Sequence, residues 1–182
     1  MAKIRYIDNY DVINGFWGVA VSVWFQGCPH RCYKCFNSET WNENDETVRE
    51  RNNIEVAKEI LEELDRYYPK TLSILGGESL APYNINDLSE ILKYIKTQKK
   101  DLKIALWTGY EWEDVKNKEV IRYIDVIVVG KYIDDLHRDY KITKNILDKK
   151  RGSTNQRVID VKKSLKENKV VIINFKKEDL WS

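Results

Sequence analysis

The chain is poor in cysteine and histidine and has no long apolar run. Its only three cysteines fall within eight positions, Cys28 to Cys35. An odd number confined to one short segment excludes a disulfide framework, which uses an even count spread along a secreted chain. No stretch approaches the ~20 apolar residues of a membrane-spanning helix. The first residues, Met1-Ala2-Lys3-Ile4-Arg5, carry charge without an apolar signal core behind it. These absences predict a cytoplasmic protein with reduced thiols and no membrane partner. No internal repeat or low-complexity linker divides the chain.

What is present fits a folded domain. Hydrophobic residues make up 42% of the 182 and aromatics 12%, enough to build a real core. The net charge of +2 is unevenly spread, because Lys141 to Lys177 carries 12 basic and 3 acidic side chains. A basic stretch can bind nucleic acid or steer an acidic partner. This one lacks the interleaved aromatics of a single-strand binder, so it reads as a solvated lysine face.

Strand-like and helix-like segments alternate. Gly18 to Phe25, Thr71 to Leu75, Lys103 to Trp107 and Asp125 to Val129 are short apolar runs that read as buried strands. Ile54, Ala57, Ile60, Leu61 and Leu64 recur at helical spacing, with Asn53 as the expected cap and Pro69 beyond the end at Tyr68. Leu88, Ile91, Leu92 and Ile95 mark a second amphipathic helix, and Glu111 to Tyr123 a third. The tail predicts a short helix followed by a strand, Val170 to Phe175. Such alternation implies an α/β fold with a mostly parallel sheet. The chain is short of the ~250 residues of a complete eight-stranded barrel, so an open or partial β/α barrel is expected. Residues 1–157 would form the core domain, with 158–182 an extension packed on it.

In parallel sheets the site lies at the carboxyl ends of the strands. Four segments fall there: the cysteine loop, Gly76-Gly77-Glu78, Thr108-Gly109-Tyr110 and Gly130-Lys131. Cys28-x3-Cys32-x2-Cys35 suits a cubane [4Fe-4S] cluster, with three irons held by protein and the fourth open to a small molecule. A Cys3His zinc site using His30 is the competing reading, although a histidine between such closely spaced cysteines would crowd a tetrahedron. Glycines at Gly76 and Gly77 allow close backbone approach to a ligand. Glu78 offers a carboxylate acceptor, and Thr108 and Tyr110 offer hydroxyls; a plain turn at each strand end is the competing reading. His30 and Arg31 read as loop residues facing solvent, and His137 as a surface histidine.

The cysteine motif resembles the signature of radical S-adenosylmethionine enzymes. The chain is similar to one branch of them, the activating proteins of anaerobic (class III) ribonucleotide reductase. The resembling pieces are Asp11 to Gly15, Gly27 to Cys32, Cys35-Phe36-Asn37, Thr40-Trp41, Gly76-Gly77-Glu78, Trp107 to Tyr110, Asp125 to Val128, Gly130-Lys131-Tyr132 and Arg151 to Gln156, in the family's order. The resemblance implies a partial barrel of the radical S-adenosylmethionine type. It further implies one [4Fe-4S] cluster on Cys28, Cys32 and Cys35, with S-adenosylmethionine on the open iron. Lys34, Cys35 and Phe36 would pass the adenine, and Gly76, Gly77 and Glu78 would receive the methionine amino group. The implied partners are the large catalytic subunit of the reductase, where a glycine becomes a radical, and a flavodoxin- or ferredoxin-type electron donor. A small radical enzyme acting on a metabolite, similar to deazapurine synthases, and a non-catalytic zinc module are the alternatives. The chain departs from the branch at three positions. Val129 stands where an aspartate is common, Ser79 where a proline is common, and Lys34 where glycine is usual.

Overall fold

The computed structural model describes residues 1–66, 71–137 and 149–173. The chain opens with β1 (Ala2–Asp11) and returns as β2 (Ala20–Phe25), which runs into the cysteine loop. A two-residue strand, β3 (Glu50–Arg51), precedes α1 (Asn53–Arg66). There follow β4 (Thr71–Gly76), α2 (Ile85–Gln98), β5 (Lys103–Trp107), the single-turn α3 (Trp112–Val115), β6 (Val126–Val129), β7 (Arg157–Asp160) and α4 (Val161–Glu167). The strands form one open sheet in the order β3-β1-β2-β4-β5-β6-β7. Its four middle strands, β2, β4, β5 and β6, are parallel. The outer strands β1, β3 and β7 pair antiparallel. Parallel neighbours need crossover connections, and α1 and α2 supply two of them.

Helix α1 buries Val56, Ala57, Ile60 and Leu64, a stripe that follows the 3.6-residue period. Its cap is Asn52, whose Oδ1 accepts the amides of Ile54 and Glu55, and not Asn53 as expected. Asn53 instead turns inward and donates to Asp87 and Glu90 at 2.8 and 2.7 Å, joining α1 to α2. The helix expected over Glu111 to Tyr123 is broken into α3 and a 3-10 turn at Glu119–Tyr123. The buried residues of that segment, Trp112, Val115, Val120 and Ile121, include a step of five that one helical face cannot accommodate.

Alternation along the strands sends side chains to two faces. Val21, Val23, Phe25, Leu72, Ile74, Ile104, Leu106 and Ile127 pack with the helices in the main core. Val129, where the branch often has an acid, is fully buried in the same core. On the other face Ala105, Val126, Val128 and Val158 are covered by Phe16, which is 0% exposed and lies 5.2 Å from the Trp107 ring. Phe16 arrives on the loop between β1 and β2, and that loop is tied down by polar groups. Asp11 accepts the amides of Ile13 and Asn14, the Asn14 side chain and the Ser22 hydroxyl. Lys150 Nζ donates to the carbonyls of Ile13 and Gly15 at 2.8 and 2.6 Å.

Past α4 the chain comes back along β7. Asp160 N donates to Val171 O and Ile173 N to Val158 O, around a single bridge between Ile159 and Ile172. The expected tail strand therefore meets the sheet edge. Its last two residues, like Tyr67 to Pro69 at the expected end of α1 and Lys141 to Asp148 of the basic stretch, lie outside the described residues. No helix among the described residues is long and apolar enough to cross a membrane.

Candidate functional site

The loops that leave β2, β4, β5 and β6 are cross-linked through their backbones. Gly77 N donates to Phe25 O at 2.8 Å and Glu78 N to Gly27 O at 2.7 Å, so the Gly-Gly-Glu turn rests on the start of the cysteine loop. Gly27 N and Cys28 N donate in turn to the carbonyls of Thr40 and Trp41, which closes the loop on itself. Thr108 N donates to Val128 O and Gly130 N to Tyr110 O, linking the other two ends. A side chain on Gly77 would lie 2.7 Å from the Gly27 carbonyl carbon, so glycine is required there. Asn84 holds the same corner, donating to Gln26 O and Glu78 O at 2.9 and 3.0 Å.

Glu78 is the hub. Its side chain is 1% exposed, and a buried carboxylate needs donors. Oε1 accepts from Leu80 N at 2.9 Å, Oε2 from Gly109 N at 2.8 Å, and the Thr108 hydroxyl stands 2.9 Å from both oxygens. His30 Nε2 lies 2.9 Å from Oε2. His30 is thus not the solvent-facing loop residue the sequence predicts. It is 8% exposed and sits edge-on to Tyr110, with ring centroids 4.7 Å apart. Nothing local in the sequence announces this pair, because 48 positions separate its members.

The three cysteines are half-buried around two left-handed turns, at Arg31 (φ 47°) and Lys34 (φ 54°). The second turn accounts for the glycine usual at that position in the branch, since left-handed backbone suits glycine best. Here Lys34 holds the turn and pairs with Asp134 at 2.7 Å, bridging to the loop after β6. Phe36 is 73% exposed and lies 6.3 Å from Tyr132 and 6.0 Å from His137. His137 in turn stands 3.0 Å from Gly152 O through Nδ1. The Arg151 to Gln156 segment closes on itself and on β6. Gln156 accepts the amides of Gly152 and Ser153 and donates to Gly130 O.

Residues 13–159 match the family of the 4Fe-4S single cluster domain. The anaerobic ribonucleoside-triphosphate reductase-activating protein of Enterobacteria phage T4 is 36% identical over 150 residues, covering 81% of this chain and 87% of that protein. The protein of the same name from Vibrio cholerae is 32% identical, with 69% and 81% covered. That from Salmonella typhi is 30% identical, with 84% and 96% covered. The chain belongs to this activating-protein family.

The thiols fit an iron–sulfur cubane better than a single ion. A tetrahedral zinc would gather its sulfurs to about 3.8 Å from one another. The three thiols alone leave such an ion short of the four protein ligands of a structural site. His30, the fourth ligand of the zinc reading, is engaged by Glu78. A cubane spreads its three thiolates over three irons, and its sulfurs are tuned by N–H donors. Such donors are in place. The amide of Asn37 lies 3.4 Å from the Cys35 sulfur, the backbone at His30 and Arg31 favours the Cys28 thiolate, and that at Tyr132 favours the Cys32 thiolate. Burial nevertheless pushes the Cys28 thiol up to about 11, against this backbone, and raises Cys32 as well. Metal binding must therefore expel protons from the loop. Ser79, 1% exposed, has a hydroxyl with no hydrogen-bond partner, an unspent polar group next to Glu78.

Proposed function

We propose that the chain is a radical S-adenosylmethionine activase that installs a glycyl radical on anaerobic ribonucleotide reductase, on an open sheet that serves as the partial barrel of that superfamily. Cys28, Cys32 and Cys35 would hold a [4Fe-4S] cluster with one iron open to the amino and carboxylate groups of S-adenosylmethionine. The chemistry supplied is transfer of one electron, taken from a flavodoxin- or ferredoxin-type donor, that splits the sulfonium C–S bond into methionine and a 5′-deoxyadenosyl radical, which takes a hydrogen atom from the glycine of the partner.

The residues of the chain bind, orient and exclude water. Gly76 and Gly77 let the strand end rest on the main chain of Phe25 and Gly27, which sets Glu78 in place to accept the ligand's amino group. Thr108 and Gly109 hold that carboxylate in place. Lys34, Cys35 and Phe36 form the wall past which the adenine runs. The observation that carries this reading is the convergence of a three-thiol loop and a buried carboxylate on the same parallel strand ends. A protein substrate is favoured over a metabolite by the apolar side chains exposed around the loop, Tyr33, Phe36, Ile133 and Leu136.

The test mixes the anaerobically reconstituted protein with the reductase, a reductant and S-adenosylmethionine. A glycyl doublet in electron paramagnetic resonance is expected on the reductase. Rapid cleavage of S-adenosylmethionine with no such signal would refute the substrate, and a colourless zinc-loaded protein would refute the cofactor.

A further inference from the structure

A carboxylate has about four lone-pair sites, and four groups of this chain already crowd the one on Glu78. Leu80 N belongs to the same turn as Glu78, Gly109 N is main chain, and the Thr108 hydroxyl is 4% exposed at the end of β5. These three are fixed by the fold. The fourth group, His30 Nε2, rides on a side chain of the cysteine loop and can leave by rotation about its own bonds. An incoming amine N–H meets a carboxylate with no acceptor site to spare unless one donor leaves.

We propose that His30 is a stand-in for the ligand's amino group. It satisfies the buried carboxylate of Glu78 in the free protein and yields its place when the amine arrives. The inference rests on the reading above that puts the amine of S-adenosylmethionine on Glu78. As its Nε2–H tautomer, His30 donates one hydrogen bond to an acceptor that would otherwise be buried and short of a donor. The amine replaces that bond with an N–H···O⁻ bond of its own. Because His30 lies two residues from both Cys28 and Cys32, its release is felt directly in the cysteine loop. Gly109 leaves room for the ring, since a Cβ there would come within 2.7 Å of Nε2.

A competitor inside the protein lowers the apparent affinity of the ligand by the work of displacing it. Removing it should therefore tighten binding, whereas removing a mere brace should weaken it. The experiment measures binding of S-adenosylmethionine by equilibrium dialysis to the cluster-loaded protein, oxidised so that no cleavage occurs, with iron per chain assayed alongside. His30→Phe keeps a ring against Tyr110 but loses the donor, and binding per cluster is expected to tighten about tenfold. His30→Gln keeps an N–H and should bind within about twofold of the native protein. Unchanged or weaker binding per cluster in His30→Phe overturns the inference. If His30→Phe loads no iron, His30→Ala is read in the same way, and failure of both to load iron makes His30 a brace and overturns it too. Absence of binding by the native protein at full iron content would instead remove the ligand assignment itself, and this inference with it.

Discussion

A single methyl group at Gly109 should push His30 off the Glu78 hub. Gly109 does not use left-handed backbone, so alanine adds only its Cβ. That atom would lie 2.7 Å from His30 Nε2 and 2.8 Å from its Cγ, well inside contact distance. The imidazole lies against Tyr110, so it must swing off Glu78. The carboxylate then loses one of its donors while staying 1% exposed. A hydrogen bond to a charged group is worth about 1.5–3 kcal/mol net. Gly109→Ala should therefore cost about 2 kcal/mol, or about 4–8 °C in Tm for a chain of this size. Urea unfolding of the metal-free protein measures it as a lower midpoint with an unchanged slope. His30→Ala loses the same bond, so the double variant should cost barely more than either single one. Strictly additive costs, or a Gly109→Ala penalty below about 0.5 kcal/mol, would refute the clash.

Cys28→Ala, Cys32→Ala and Cys35→Ala should each lose the cluster, read as iron per chain and visible absorbance, and abolish cleavage of S-adenosylmethionine; normal turnover in any of them refutes the ligand set. Burial pushes the Lys150 ammonium down to about 8 from 10.5. Between those pH values the unfolded chain holds more protons, so Lys150 makes stability rise with pH, by at most about 3 kcal/mol. Subtracting the unfolding curve of Lys150→Met from that of the native protein between pH 7 and 10.5 should isolate this rise, and a flat difference argues against a buried lysine. Burial raises the Asp11 carboxyl, but hydrogen bonds from Ser22, Asn14 and Ile13 outweigh it and hold the group below its ordinary value. Its contribution is present above the ordinary carboxylate range and fades as pH falls through the lower folded value, so Asp11→Asn should flatten the acid limb of the stability curve.

The parallel centre of the sheet is legible because strands buried on both faces are written as nearly unbroken apolar runs. The outer strands are not. β1 alternates buried Ala2 and Ile4 with half-exposed Lys3 and Arg5, and its outer half is largely polar. β3 has only two residues. The cysteine loop announces itself by composition, and Gly76 to Glu78 by their place at a strand end. The partners of Glu78 do not, since His30 and Thr108 reach it from 48 and 30 positions away and no local pattern encodes such a meeting. Lys34 stands out in the sequence only as a departure from the family. Its positive φ supplies the reason, because the turn asks for glycine and the chain answers with a lysine held by Asp134.

At Gly76 and Gly77, main chain lies directly against the main chain of Phe25 and Gly27. With no layer of side chains between them, this junction has nothing compressible to absorb a push. Displacing the loop by even a fraction of an ångström strains peptide bonds instead of rotating side chains. The amide protons of Gly27, Cys28, Gly77 and Glu78 should then share one degree of protection from exchange with solvent, set by one opening event.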